Sequence, residues 1–156
     1  MKSLIFLTIF LVLFLNSQEL KIEAKLFTAN EKDGISIFEG DVKIIKGTDE
    51  VNASKVTIYT DENKKPTKFM ATGCVSFNIT VHNGDVYSGK AGKIIYVPAD
   101  KEYHFFENVH LKQMNEKKEI IGEEVVLNLE EGNAYAKGAK TEPIIMILNI
   151  PEKEKK

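Results

Sequence analysis

The chain has 156 residues, of which 28% are charged and 43% are hydrophobic. This length fits one domain with a sizeable core, and this composition excludes wholesale disorder. The formal net charge is −2 and no segment carries a stripe of lysine or arginine, so nothing in the sequence indicates nucleic-acid binding.

The N-terminal residues 1–17 have the pattern of a secretory signal peptide. Lys2 precedes an apolar run over residues 4–15, which is interrupted only by Thr8 and is followed by polar residues. The run is shorter than the roughly 20 apolar residues that a transmembrane helix needs. We therefore expect export and cleavage after Ser17, with an uncleaved membrane anchor as the alternative.

The remaining chain predicts roughly ten antiparallel strands and almost no helix. Apolar and charged residues alternate over 18–27, which predicts the first strand, and turn residues recur every 10 to 18 positions from there on. The apolar stretch 143–150 has no alternation, so it predicts a last strand that is buried on both faces or left for something else to cover. We expect one domain over 18–150 and a disordered charged tail over 151–156.

Cys74 is the only cysteine of the chain. No intramolecular disulfide can form, so the fold must be stabilised by packing alone. Because Cys74 lies in the middle of a strand pattern, we expect it to be a small, half-buried strand residue.

Two short sequence blocks recur three times, and this repeat is the most informative feature of the chain. The first block contains Val42, Val75 and Val109 at matching positions, which are 33 and 34 residues apart. A fixed period of this length predicts stacked units, each of which cannot bury its apolar face alone. The copies of the first block are 38–44, 69–77 and 105–111, and those of the second block are 52–59, 89–96 and 122–129.

Glycines lie inside several of these strand patterns rather than at turns. Gly40, Gly73, Gly92 and Gly122 would mark bulges or bends, and bends at matching places would wrap the sheet around an axis. The alternative is that they only relieve crowding in the core. The third copy of the first block has Asn108 in place of the glycine.

Together with the signal peptide, the three ordered copies resemble the OstA-like, or LptA, domain of periplasmic lipopolysaccharide-transport proteins of Gram-negative bacteria. The resemblance covers residues 20–140 and implies an all-β fold, an open twisted β-jellyroll. In this fold a V-shaped stack of antiparallel strands, built from repeated hairpins, shields lipid acyl chains in an apolar groove. The partners that it implies are lipopolysaccharide or lipooligosaccharide, copies of the chain joined head to tail, and proteins of the same fold. These are an LptC-like protein anchored in the inner membrane and an LptD-like protein of the outer membrane.

The resemblance also implies which residues line the groove, since it places the apolar face of each strand inside. Each buried methylene is worth about 0.8 kcal/mol, so acyl chains need such a shield to cross water. The expected lining residues are Phe38, Val42, Ile44, Val56, Ile58, Phe69, Val75, Phe77, Ile79, Phe105, Val109, Leu111, Val125 and Leu127.

The sequence shows no pattern for catalysis, a metal or a cofactor. His82, His104 and His110 form no convergent ligand set, and no nucleophile, zinc or phosphate-loop motif is present. Asn52 and Asn78 fit the N-glycosylation sequon but lie in predicted strands, so we expect no glycan there. We therefore expect a protein that binds lipid without catalysis and without a cofactor.

Two alternatives to a soluble lipid carrier stay open at this point. The first is a membrane-anchored LptC-like partner, with the same fold behind an uncleaved N-terminal helix. The second is an exported structural β-repeat module whose interior is filled by its own side chains and holds no lipid.

Overall fold

The computed structural model describes residues 19–81 and 84–152. The signal peptide expected over 1–17 lies outside the described residues, and its cleavage after Ser17 stays a prediction. Within the described part of the chain, no helix is long and apolar enough to cross a membrane.

The described residues form ten β-strands and no helix, which confirms the predicted all-β class. All ten strands belong to one antiparallel sheet. Eight of them follow the order β1-β3-β4-β5-β6-β7-β8-β10, and β2 pairs with β3 and β9 with β8 beside this path. The strands are β1 (Leu20–Glu23), β2 (Leu26–Asn30), β3 (Ile35–Lys46), β4 (Asp49–Thr60), β5 (Pro66–Thr80), β6 (Val86–Val97), β7 (Glu102–Gln113), β8 (Lys118–Asn128), β9 (Ala134–Lys137) and β10 (Ile145–Ile147).

The single first strand predicted over 18–27 is two strands in the structure. β1 pairs with the C-terminal half of β3, whereas β2 pairs with its N-terminal half. Between them, the backbone N–H of Lys25 donates to the carbonyls of Glu39 and Gly40, and its ammonium lies 2.6 Å from the Asp41 carboxylate. The chain breaks here because β3 itself bends at Gly40, and a straight neighbour could not follow both halves.

β3, β5 and β7 each bend at a β-bulge in the middle of the strand. Their pairing registers shift between Glu39 and Val42, between Thr72 and Val75, and between Phe106 and Val109. The two residues at each bulge have left-handed φ angles, which agrees with the prediction that Gly40 (83°) and Gly73 (84°) mark bends. These bulges recur with the repeat period, so the bend belongs to the repeated unit.

The third bulge has no glycine, and its position shows that the match of Asn108 with Gly40 and Gly73 was wrong by one residue. Because Val109 corresponds to Val42 and Val75, Glu107 occupies the glycine position, and Asn108 corresponds to Asp41 and Cys74. Both have left-handed φ, of 69° and 51°, which costs about 1–2 kcal/mol per residue. A Cβ added to Gly92 on the neighbouring strand would lie 2.7 Å from the Glu107 Cβ, so Gly92 provides the space that the bulge needs.

The bulges divide the sheet into two arms. The first arm holds β2, β9 and the segments 35–39, 55–60, 66–72, 93–97, 102–106 and 124–128. The second arm holds β1, β10 and the segments 42–46, 49–52, 75–80, 86–90, 109–113 and 118–122. Phe77 of the second arm and Phe105 of the first are not register partners, yet their ring centroids are 4.7 Å apart. The arms therefore face each other and pack a common core between them.

Cys74 is exposed, which corrects the expectation of a half-buried strand residue. It has a left-handed φ of 47° at the second bulge, next to Gly73. The inward residues of β5 on both sides of the bulge, Ala71 and Val75, have odd numbers, so the alternation of side chains places Cys74 on the outside of the bend. Its neighbour Val75 returns to the core with 0% exposure.

The last apolar stretch is mostly outside regular structure, since only Ile145–Ile147 form a strand. The described residues of this stretch are exposed, from 39% for Ile144 to 79% for Ile150. Of the two alternatives that the sequence left open, the structure supports a strand that its own fold does not cover.

Candidate functional site

An apolar cavity of about 620 Å³ lies between the two arms. Its volume falls in the range of roughly 300–1,000 Å³ that is usual for ligand sites. The first arm contributes Val56, Pro66, Phe69, Ala71, Ile94, Tyr96 and Tyr103, and the second arm contributes Leu20, Ile44, Val51 and Ile79. Pro98 and Leu129, just beyond the ends of β6 and β8, also line it. The charged and polar residues Lys46, Asp49, Glu50, Lys65 and Thr80 complete its lining.

The pairing register explains why an aromatic row forms one wall of the cavity. Ile58 pairs with Phe69, Phe69 with Tyr96, and Tyr96 with Tyr103, and directly opposed residues of antiparallel strands share a face. The ring centroids of Phe69 and Tyr96 are 6.1 Å apart, and those of Tyr96 and Tyr103 are 4.6 Å apart. Three neighbouring strands thus present one continuous aromatic surface to the cavity.

Tyr96 and Tyr103 are absent from the residues that the sequence predicted to line the groove. For Tyr96 the signal was available in the second repeated block. When Ala91 is aligned with Ala53, Tyr96 matches Ile58, whose side chain points inward. The alignment that matched Tyr96 with Tyr59 pointed to the wrong face, because Tyr59 holds the Lys68 ammonium over its ring outside the core.

The residues predicted to line the groove all lie on the inner faces of the two arms. Ten are buried, namely Val42, Val56, Val75, Phe77, Ile79, Phe105, Val109, Leu111, Val125 and Leu127. The other four, Phe38, Ile44, Ile58 and Phe69, are half-buried. Only Ile44, Val56, Phe69 and Ile79 of the whole set line the cavity itself. Contact of these residues with lipid stays a prediction.

Charge is kept at the rim of the cavity and out of its interior. Burial raises the pKa of the Tyr103 hydroxyl far above its usual range, so this ring stays neutral. Glu50 borders the cavity, and its carboxylate accepts a 2.8 Å hydrogen bond from the Asn52 amide on the outer face of β4; this bond and the Lys43 ammonium lower the pKa of Glu50. Asp49 accepts a 2.8 Å bond from the backbone N–H of Thr80. An apolar interior with an ionised rim suits an amphiphilic ligand.

The described histidines lie away from the cavity, on the outer faces of the arms. His104 Nε2 is 3.0 Å from Glu102, and His110 Nε2 is 2.8 Å from Glu119. Within the described ranges, no group of three or more potential ligand side chains could hold a metal ion. His82 lies outside the described residues.

The fold and the cavity define a class of protein, a β-jellyroll that can shelter an apolar ligand. A comparison with known protein families identifies the family within this class. The model of the family "LptA/(LptD N-terminal domain) LPS transport protein" matches residues 21–133. The chain belongs to this family of lipopolysaccharide transport proteins, which confirms the resemblance found in the sequence.

A solved structure agrees with this assignment at the level of the fold. The chain is similar to the crystal structure of LptH, the LptA homologous periplasmic component of the conserved lipopolysaccharide transport device from Pseudomonas aeruginosa. The TM-score is 0.74 at 19% sequence identity, over 85% of this chain and 96% of LptH. No curated protein sequence matches the chain.

Proposed function

We propose that this protein carries lipopolysaccharide through the periplasm by holding its acyl chains in the cavity between the two arms, without catalysis. The observation that carries the proposal is the cavity itself, which joins an apolar interior to an ionised rim. Acyl chains would lie inside, and the phosphorylated sugar head group would stay in water beyond the rim.

The energetics favour such a carrier over free diffusion of the lipid. At about 0.8 kcal/mol per buried methylene, shielding an acyl chain of about 12 methylenes is worth on the order of 10 kcal/mol. Part of this free energy offsets the entropy that the acyl chain loses when it is ordered inside the cavity. The rest lowers the barrier to crossing an aqueous compartment.

We further propose that the chain assembles head to tail, with copies of itself and with same-fold proteins at the inner and outer membranes. Both ends of the sheet expose apolar side chains on edge strands. Leu26 and Phe27 of β2 are 54% and 56% exposed at one end, and Tyr135 of β9 and Met146 of β10 are 55% and 53% exposed at the other. Unpaired edges of this kind are templates for adding a strand from another chain.

Site-specific photocrosslinking tests lipid binding. A photoreactive residue at Val51, on the cavity wall, should crosslink to purified lipopolysaccharide. The matched control is Asn52, the next residue of β4, whose amide bonds with Glu50. Crosslinking at Val51 alone supports the carrier, whereas crosslinking at neither position in folded protein favours a structural module whose interior holds no lipid.

Truncation tests the proposed assembly. Deleting residues 143–156 removes β10 and should shift the protein from oligomers to monomers in sedimentation velocity. The matched control deletes residues 151–156 only and keeps β10, so its oligomers should persist. If both truncations sediment like the full mature chain, β10 is not the assembly edge.

A further inference from the structure

The interior between the arms is open towards β1 and tightly packed towards β10. Ile44, Val51 and Phe69 on the open side are half-buried and line the cavity. Leu111 and Val125 on the packed side are 1% and 0% exposed, and they do not line it. Along the second arm the cavity therefore ends inside the fold, whereas along the first arm its lining continues to Tyr103 and Leu129.

Two phenylalanines of the buried core lie next to residues that line the cavity, although neither lines it. Phe77 of the second arm is 5% exposed and Phe105 of the first arm is 0% exposed. Their ring centroids are 4.7 Å apart, with the planes tilted by 38°. Since the two residues belong to opposite arms, their contact spans the interior from one wall to the other.

A glycine on the neighbouring strand gives the Phe77 ring its space. Gly89 is the register partner of Phe77 on β6, and a Cβ built there would clash first with the His110 backbone carbonyl and would also lie 3.1 Å from the Phe77 Cζ. Gly89 in turn pairs with Leu111 on β7. The ring thus fills the gap between β5 and β7 that a larger residue at Gly89 would occupy.

The register partners of the two rings show that the contact separates the two sides. Val51 pairs with Phe77, Ile94 pairs with Phe105, and both partners line the cavity. On the other flank of each ring lie Leu111 and Val125, which belong to the packed core.

We propose that Phe77 and Phe105 form a barrier that stops bound lipid on the β1 side of the interior, and that their rings must separate before an acyl chain can reach the β10 edge. This inference rests on the proposed lipid binding and adds to it a fixed stopping point. The barrier makes the second arm directional, because lipid reaches the β1 edge freely and the β10 edge only after a rearrangement of the core.

Photocrosslinking from two positions tests the barrier. A small diazirine-bearing residue replaces Val51 in one sample and Leu111 in another, and each is incubated with purified lipopolysaccharide. In the wild-type background, lipid should crosslink at Val51 and only weakly at Leu111. An aromatic pair contributes a free energy that corresponds to about a two- to tenfold change in an equilibrium. Phe105→Leu should therefore raise the crosslinking at Leu111 by about that factor.

Two further variants keep the outcome interpretable. Phe106→Leu changes the next residue, which lies on the outer face beneath the Lys93 ammonium, and it should leave the crosslinking at Leu111 unchanged. Phe77→Leu removes the other half of the barrier and replaces Phe105→Leu if that variant does not fold. Equal crosslinking at Val51 and Leu111 in the wild type overturns the barrier but leaves lipid binding intact. Failure of crosslinking at Val51 overturns the proposed function itself.

Discussion

Two adjacent valines of β8 offer a sharp test of which face of the sheet is the core. Val125 pairs with Phe105 and is 0% exposed, whereas Val126 pairs with His104 on the outer face. Replacing valine by threonine keeps the shape and the β-branched geometry but adds a hydroxyl group. The two variants therefore differ only in whether that hydroxyl can reach water.

The expected cost follows from burial. A hydroxyl placed in an apolar core without a partner costs about 1–3 kcal/mol in protein mutants. At roughly 3–5 °C per kcal/mol for a domain of this size, Val125→Thr should lower the melting temperature by about 3–15 °C. Val126→Thr should change the free energy of unfolding by no more than about 0.5 kcal/mol, as is usual on a surface.

Thermal unfolding followed by circular dichroism measures both variants, and urea unfolding gives the free energies at one temperature. The m-values should stay equal, because neither change alters the surface that unfolding exposes. Equal losses in the two variants, or a larger loss for Val126→Thr, would refute the assignment of the inner face.

Three further predictions concern the bends and the outer surface. Cys74 should react with a maleimide as fast in the native protein as in urea, and protection of the native thiol would contradict its exposure at the bulge. Gly73→Ala should cost more stability than the about 1–3 kcal/mol of left-handed strain, because its Cβ would also lie 2.6 Å from the side chain of the neighbouring strand. Gly132 has a similar φ of 70°, but nothing lies within 4 Å of a Cβ added there, so Gly132→Ala is the control. An equal loss of stability in both variants would exclude a steric contribution at Gly73. The hydrogen bond from His110 lowers the pKa of Glu119 below its ordinary value of 4.5, so the stability from this carboxylate is present above that value and is lost as the pH falls through the lowered pKa. In His110→Ala an NMR titration should show the pKa of Glu119 rising towards 4.5, and an unchanged pKa would show that the bond does not form in solution.

The inner face of β5 was predictable from the sequence because its inward residues keep the same alternation on both sides of the bulge. Two residues of β5, Gly73 and Cys74, oppose the single Gly92 of β6, so the one extra residue changes the alternation on β6, where Ile94 and Ala91 both point inward, and not on β5. Phe69 and Ala71 before the second bulge, and Val75 and Phe77 after it, all have odd numbers and all point inward. The alternation therefore continued through the bend, and the predicted face held along the whole strand.

The depth of the cavity was not predictable in the same way. Alternation shows which face a residue is on, but it does not show what lies opposite on the other arm. Phe77 and Val51 are register neighbours on one face, yet Phe77 meets Phe105 whereas Val51 borders open space. That difference depends on the distance between the arms, which no local pattern records.

One row of side chains accounts for the open and closed halves of the interior. Along the second arm, register partners follow one another in the order Val51, Phe77, Gly89, Leu111 and Ile120. The backbone repeats regularly along this row, but the side-chain volume is irregular. It rises from Val51 to Phe77 and then falls to Gly89. The repeat thus sets the shape of the trough, while residue size along one row sets how much of it is empty. In the proposed carrier, substitutions within this row would therefore change the capacity for lipid without changing the edge strands that would join neighbouring molecules.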